Sequence, residues 1–303
     1  MSEPGQMQAE GRTEPLPIVP LRHWGRWIAG GAILLLAAGI FYVLGKADIA
    51  YRDVPKFFLF PVMLEGLWHT IVLAIAAQSA GIAIGLIVAI MRRSENPVAW
   101  GTASLYIWIF RGVPVLLQLL IWYNLALAFK VIAIPGLFSI STNAVMTSFV
   151  AGLLGLGLNE SAYMSEIIRA GFNSIDKGQI EAAHAIGMTP GRTLRRVILP
   201  QAMRVIIPPT GNDFINMLKE TSLVSVISYL ELIQAANDIS SHNLEVMETL
   251  LAAAIWYMLL VTIASIGQHY LERWLAGDRK GGGGVRPMQA IIRALAAMPF
   301  TQR

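Results

Sequence analysis

Apolar positions fall in long uninterrupted runs, separated by short polar stretches rich in Gly, Pro and charge. Residues 1–20 are polar and acidic with four prolines, which predicts a disordered tail through about residue 26. The first run, Trp27 to Gly45, follows Arg22, His23 and Arg26. About 19 apolar residues at about 1.5 Å rise span the roughly 30 Å hydrocarbon core. A cleaved leader competes for this run. Its length, and the lack of a small-x-small site after it, favour an uncleaved anchor. Further runs cover Thr70–Met91, Val113–Ile134, Asn143–Met164 and Thr249–Gly267, with a weaker one at Val205–Ile233. Lipid offers no partner to an open strand edge, so the runs predict helices. The expectation is an all-α, polytopic membrane protein with about six transmembrane helices and both termini on one side.

Composition agrees. Of 303 residues 55% are hydrophobic and 14% charged, against roughly 25% charged in an average soluble domain. That shortage excludes a soluble globule, a disordered chain and a nucleic-acid-binding protein, despite a net charge of +4. The positive charge has a topological explanation. Among 23 Lys and Arg, Lys46, Arg52, Lys56 and Lys130 fall in the loops of one face, and Lys219 lies within the fifth run. The others cluster in 1–26, 92–112, 166–204 and 268–303. The positive-inside rule therefore predicts cytoplasmic termini.

Chemistry of its own is not visible. The chain has no cysteine, which excludes disulfides and thiol nucleophiles. It contains no G-x-x-x-x-G-K-[ST], no H-E-x-x-H and no G-x-S-x-G, and the five histidines have no ligand spacing. No catalytic residue, metal site or cofactor is expected. Concentrating a solute a thousandfold costs about 4 kcal/mol, so if ATP supplies it, the ATP is bound by a partner subunit.

The segment 170–204 is the longest internal loop on the basic face. Asp176 with Gln179 resembles a capping box opening a short helix, and Gly187 fits the left-handed position that ends it. Thr189 and Pro190 predict a second helix carrying Arg192, Arg195 and Arg196 and stopping before Pro200. Physics alone leaves open a basic hairpin against headgroups, a knob for a partner's groove, or a tethered DNA reader. The small side chains of Glu181-Ala182-Ala183 favour the groove.

The stretch EAAHAIGMTPGRTLRRVILP, Glu181 to Pro200, resembles the EAA signature of permease subunits of binding-protein-dependent ABC importers. RGVPVLLQL (Arg111–Leu119), SAYMSEIIRAG (Ser161–Gly171), LPQAMRVIIPP (Leu199–Pro209) and LKETSLVSVI (Leu218–Ile227) are similar to the polar amino acid group, the histidine/glutamine/arginine type. Glu220 departs from it, standing where aspartate is common. The resemblance implies a type I ABC importer permease fold over about 63–273, with an extra N-terminal helix and loop at 27–62 and a tail at 274–303. It implies a bacterial inner-membrane protein bound to ABC ATPase subunits, a second permease copy or paralogue, and a periplasmic solute-binding protein. It also implies that Glu181, Ala182, Ala183, Gly187 and Pro200 carry the contact with the ATPase. A secondary carrier driven by an ion gradient is the alternative, and such a carrier has no use for an EAA loop.

Within the bundle, Ala77, Gly81, Gly85 and Ala89 form one small-residue stripe and Ser148, Gly152 and Gly155 another, both read as packing seams. Pro208-Pro209 is expected to distort or delay the fifth helix. Asn159, Glu160, Tyr163 and Glu166 form a polar stripe, as do Asn212, Asn216, Lys219 and Glu220, followed by Thr221 and Ser222. Two readings stand for these: a mid-membrane site with Lys219 at a substrate carboxylate and Glu160 or Glu220 at an amino group, or an internal polar network. Arg111 and Arg169 are read as anchors at span ends. After a DRKGGGG linker, residues 288–298 have the spacing of a short basic amphipathic helix.

Overall fold

A computed structural model describes residues 24–134 and 138–276. The expected N-terminal tail, apart from its last three residues, lies outside the described residues. So do the glycine linker and the C-terminal amphipathic helix. The chain divides into two units at Ile49/Ala50. The first contains α1 (Trp24–Gly45). Its apolar part, Trp27–Gly45, is long enough to cross a bilayer, and the helix starts three residues before the expected span.

The second unit opens with α2 (Val54–Phe58) and α3 (Pro61–Arg92). Then come α4 (Pro97–Gly112), α5 (Val115–Tyr123) and α6 (Leu125–Ala128). A hairpin of β1 (Val131–Ile134) and β2 (Phe138–Ser141) follows, with Val131 opposite Ser141. The helices α7 (Thr142–Val145) and α8 (Ser148–Asn173) lead to α9 (Lys177–Ala185) and α10 (Pro190–Thr193). A π turn, Leu194–Ile198, runs into α11 (Leu199–Glu220), which passes into a 3₁₀ segment, Thr221–Ile227. The unit closes with α12 (Leu232–Asn243) and α13 (Val246–Ala276).

The all-α class holds, with one short hairpin between helices where V-I-A-I and F-S-I-S, rich in β-branched and aromatic residues, pair as strands. Three expectations need correction. The third span is not a helix over Val113–Ile134. It is the pair α4 and α5, bent by 100°. Pro114 removes an N–H at the break, and Val113 before it takes an extended conformation. Pro208 and Pro209 do not delay their helix, since α11 continues through both. The second loop helix does not stop at Pro200, which stands in the first turn of α11, where its missing N–H costs nothing.

By length and hydropathy α1, α3 and α13 can each cross a membrane, and the bent α4–α5 pair is long and apolar enough only when its two helices are taken together. The helices α8 and α11 are long enough but carry ionisable residues, as suits interior members of a bundle.

Small residues decide the packing between them. A Cβ on Gly81 would lie 2.5 Å from Glu160 Cγ, and one on Gly85 2.8 Å from Met164 Cβ. The stripe on α3 is therefore the seam against α8. Likewise Gly155 of α8 receives Leu119 of α5, and Gly152 receives Val224. Lipid supplies no hydrophobic drive between helices, so such close van der Waals contact is what holds them together.

Residues 50–62 belong with this unit rather than with α1. Val54 and Phe57 share an apolar cluster with Met63, Leu232 and Ala252. The ring of Phe58 stacks on Trp256 at 4.2 Å between centroids, and Trp256 Nε1 donates to the Phe58 carbonyl at 2.8 Å.

Candidate functional site

Two places hold the residues singled out above. The first is the α9–α10 knob. Asp176 caps α9, accepting from the Gly178 N–H at 2.7 Å. The other half of a capping box is not formed, because Gln179 meets Asp176 through its backbone N–H. At the far end Gly187 has φ +78. Its N–H donates to the His184 carbonyl at 2.9 Å, and the Met188 N–H donates to Ala183 at 3.0 Å. This double closure satisfies carbonyls that would otherwise be orphaned.

One face of the knob is seated. Ala183 is buried, and Ile175, Ile180 and Ile198 join Ala89 of α3, Met164 and Ile168 of α8, and Ala202 and Ile206 of α11. The other face is open: Glu181, Ala182, Gly187 and Pro200 are exposed, and Ile186 is 79% exposed. The knob is thus capped at both ends, with an apolar face seated against α3, α8 and α11.

The second place is the polar interior. Glu160 is buried, and its Oε1 accepts from Gln78 Nε2 at 2.9 Å. Asp213 of α11 and Glu220 lie close enough to act electrostatically on it. Asn159, beside it, turns to another neighbour: its Nδ2 donates to the Phe110 carbonyl at 2.6 Å. Gln118 Nε2 donates to the same carbonyl at 3.0 Å and to Val113 at 2.8 Å. These three bonds occupy carbonyls set free where α4 breaks. Tyr163 is exposed, with the Arg111 guanidinium 4.9 Å from its ring centroid. Asn216 and Lys219 line an open face of α11, Thr221 is buried and bonded to Leu218, and Ser222 is bonded to Lys219. Glu166 pairs with Arg169, Nε to Oε2 at 2.9 Å.

The two halves of the expected polar site thus look in different directions. Glu160 and Asn159 sit inside a network, whereas Tyr163, Asn216 and Lys219 are open. Arg111 occupies the last turn of α4, at the elbow between α4 and α5. An ionisable residue at that depth costs roughly 2.5–3.5 kcal/mol on insertion scales, so it faces the bundle or a water-filled path.

A third cluster escaped the sequence reading. Glu231 is fully buried and caps α12, accepting from the Gln234 N–H at 2.7 Å and the Ile233 N–H at 2.9 Å. Tyr257 of α13 donates its hydroxyl to the same carboxylate at 2.5 Å, and Thr70 of α3 accepts from the Leu232 N–H at 3.3 Å. The available signals were Glu231 as the acidic residue at the edge of an apolar run and the spacing of Gln78 and Gln118 within apolar helices.

Comparison with known proteins is decisive at this point. Residues 81–277 match the family described as binding-protein-dependent transport system inner membrane component. The chain belongs to that family. The arginine transport system permease protein ArgU of Corynebacterium glutamicum is 41% identical over 99% of this chain and 96% of its own. The probable amino-acid permease protein YxeN of Bacillus subtilis is 44% identical over 71% of this chain and 91% of its own. Among solved structures, a crystal structure of an amino acid ABC transporter with histidines matches with a TM-score of 0.65 and 36% identity, covering 75% of this chain and 99% of its own. This protein is therefore a permease subunit of an ATP-driven importer, with the type I importer fold. Such subunits are embedded in the inner membrane, do no catalysis themselves and work with an ATPase and a solute-binding protein.

Proposed function

We propose that this chain forms the translocation path of an amino acid importer and couples it to a separate ATPase through the α9–α10 knob. The observation that carries the coupling is the closure at Gly187, which fixes an exposed helix end on a buried three-helix seat. Glu181, Ala182 and Gly187 form the surface offered to the ATPase groove. Ala183 joins that surface to the seat, and Pro200 starts the helix that carries the displacement into the bundle. Two permeases, either two copies or a copy and a paralogue, work together with two ATPase subunits. A periplasmic solute-binding protein delivers the cargo. The knob and both termini face the cytoplasm, in keeping with the distribution of Arg and Lys.

The amino acid class is supported by the relatives and by an interior in which the carboxylates Glu160, Asp213 and Glu220 outnumber the single Lys219 near them. An ammonium group suits such a place. Asn159, Tyr163, Asn216, Thr221 and Ser222 are the polar groups available along the same path.

Reconstitution with the ATPase and the solute-binding protein in liposomes tests this. Amino acid uptake should require ATP, and Gly187→Asp should abolish it together with the binding-protein stimulation of ATP hydrolysis. Uptake that follows an imposed ion gradient and ignores ATP would sink the proposal.

A further inference from the structure

We infer that Arg111 is a specificity-determining residue of the translocation path and binds the carboxylate of the amino acid in transit; this rests on the amino acid reading above. The inference begins with depth. Arg111 is about 21 Å along α4 from Pro97, and Tyr163, under its guanidinium, is about 15 Å along α8 from Asn173, at about 1.5 Å per residue. The pair stands at the elbow between α4 and α5, two helices that together are long and apolar enough to lie in a membrane. A guanidinium there belongs in a polar path, not among lipid tails.

Its pairing is the second point. Ion pairs join Lys56 to Asp53 and Arg169 to Glu166. Among the described residues Arg111 meets a tyrosine ring and no carboxylate. Its five N–H donors, in a fixed fork, match a carboxylate with two parallel bonds. Lys219, the other cation of the interior, offers only a point charge, and it already lies next to Glu220.

Pre-organisation is the third. Asn159 and Gln118 tie down the Phe110 and Val113 carbonyls on either side of Arg111. Three side-chain bonds thus fix the backbone that carries the guanidinium. Asn159, which donates to the Phe110 carbonyl beside Arg111, is followed on α8 by Glu160, which accepts from Gln78.

The test is ligand binding to the purified permease–ATPase complex without the solute-binding protein, so that the receptor's own selectivity does not enter. The probes are L-arginine, chosen from the ArgU relationship, and L-argininamide, whose carboxylate is neutralised. The intact complex should bind L-arginine at least tenfold more tightly than the amide. Arg111→Met should bind L-arginine no better than the amide, with binding of the amide unchanged, and Arg111→Lys should fall between. Co-purification with the ATPase reports whether each variant folds, and Tyr163→Phe, which keeps the ring under the guanidinium, should retain the preference. An intact complex that binds amino acids without distinguishing acid from amide would overturn the inference and leave the amino acid reading standing. No amino acid binding at all would overturn both. If Arg111→Met weakened acid and amide equally while disrupting permease pairing, Arg111 would be an interface residue instead, and the inference would fail.

Discussion

The backbone N–H of Met188 donates to the carbonyl of Ala183 at 3.0 Å, across Gly187 at φ +78. A side chain at residue 187 would meet nothing within 4 Å, so the cost of substitution is conformational and not steric.

Gly187→Ala should therefore weaken the end of α9 by roughly 1–2 kcal/mol, the penalty of an L-residue in the left-handed region. That corresponds to a factor of about 5–30 in the local opening equilibrium. Hydrogen exchange of the amides at Ile186 and Met188 should accelerate by that factor while α8 stays protected. Equal protection in the variant would mean that the closure contributes nothing to rigidity.

Gly171 is a point of close approach between α8 and α11, and a Cβ there would collide with the side chain of Ile206. Gly171→Ala should destabilise the bundle by about 1–3 kcal/mol, the usual cost of overpacking. The cost of Gly171→Ala should be smaller in an Ile206→Ala background, which removes Cγ1 and Cδ1, the two atoms the new Cβ would strike. Thermal unfolding of the two single variants and the double variant measures the coupling. Strict additivity would show that the two helices do not bear on each other here.

The legible part of this protein was the part written in runs and caps. Asp176, Gly187 and the small-residue stripe on α3 are local signals, and each has the role its spacing implies. The failures have one cause in common. Hydropathy reports where a segment is apolar but not where it breaks, so Val113–Ile134 reads as one span although Pro114 and three side-chain bonds make an elbow of it. Pro208-Pro209 reads as a break, yet the helix passes through. Gln268 Nε2 donates to the Pro208 carbonyl at 2.9 Å from α13, and Gly211 leaves room for that amide. Such partners are tens of residues away in sequence, and no local pattern announces them. Among the candidate path residues, Asn159 and Glu160 are neighbours in sequence and both buried, yet their side chains bond to different helices, which spacing alone does not announce.

Tyr257 and Glu231 give a prediction on stability. The carboxylate is fully buried, with the Tyr257 hydroxyl 2.5 Å from one oxygen. Tyr257→Phe leaves that oxygen with the Ile233 N–H as its remaining donor. The expected loss is about 1–3 kcal/mol, the penalty for a buried polar group deprived of its partner. Tyr270→Phe on the exposed face of the same helix should cost almost nothing. Equal melting temperatures for the two variants would show that the α12 cap does not depend on α13.

The pair Gln78–Glu160 separates the two readings of the polar interior. Gln78 is 5% exposed, its Nε2 is held by Glu160, and its Oε1 has no hydrogen-bond partner. If Glu160 serves only to tie α3 to α8, then Glu160→Gln, which keeps the volume and an acceptor oxygen, should leave uptake kinetics unchanged. If it meets an ammonium or guanidinium in transit, the same substitution removes a charge-assisted contact. Such contacts are worth about 1.5–3 kcal/mol, or roughly a 10- to 150-fold loss of apparent affinity at about 1.4 kcal/mol per decade. We expect the second result, with Gln78→Leu reducing assembly as well, because it leaves a buried carboxylate without its donor. Uptake by Glu160→Gln at the unsubstituted apparent KM, in a complex that assembles normally, would remove Glu160 from the path and leave it a packing residue of the α3–α8 seam.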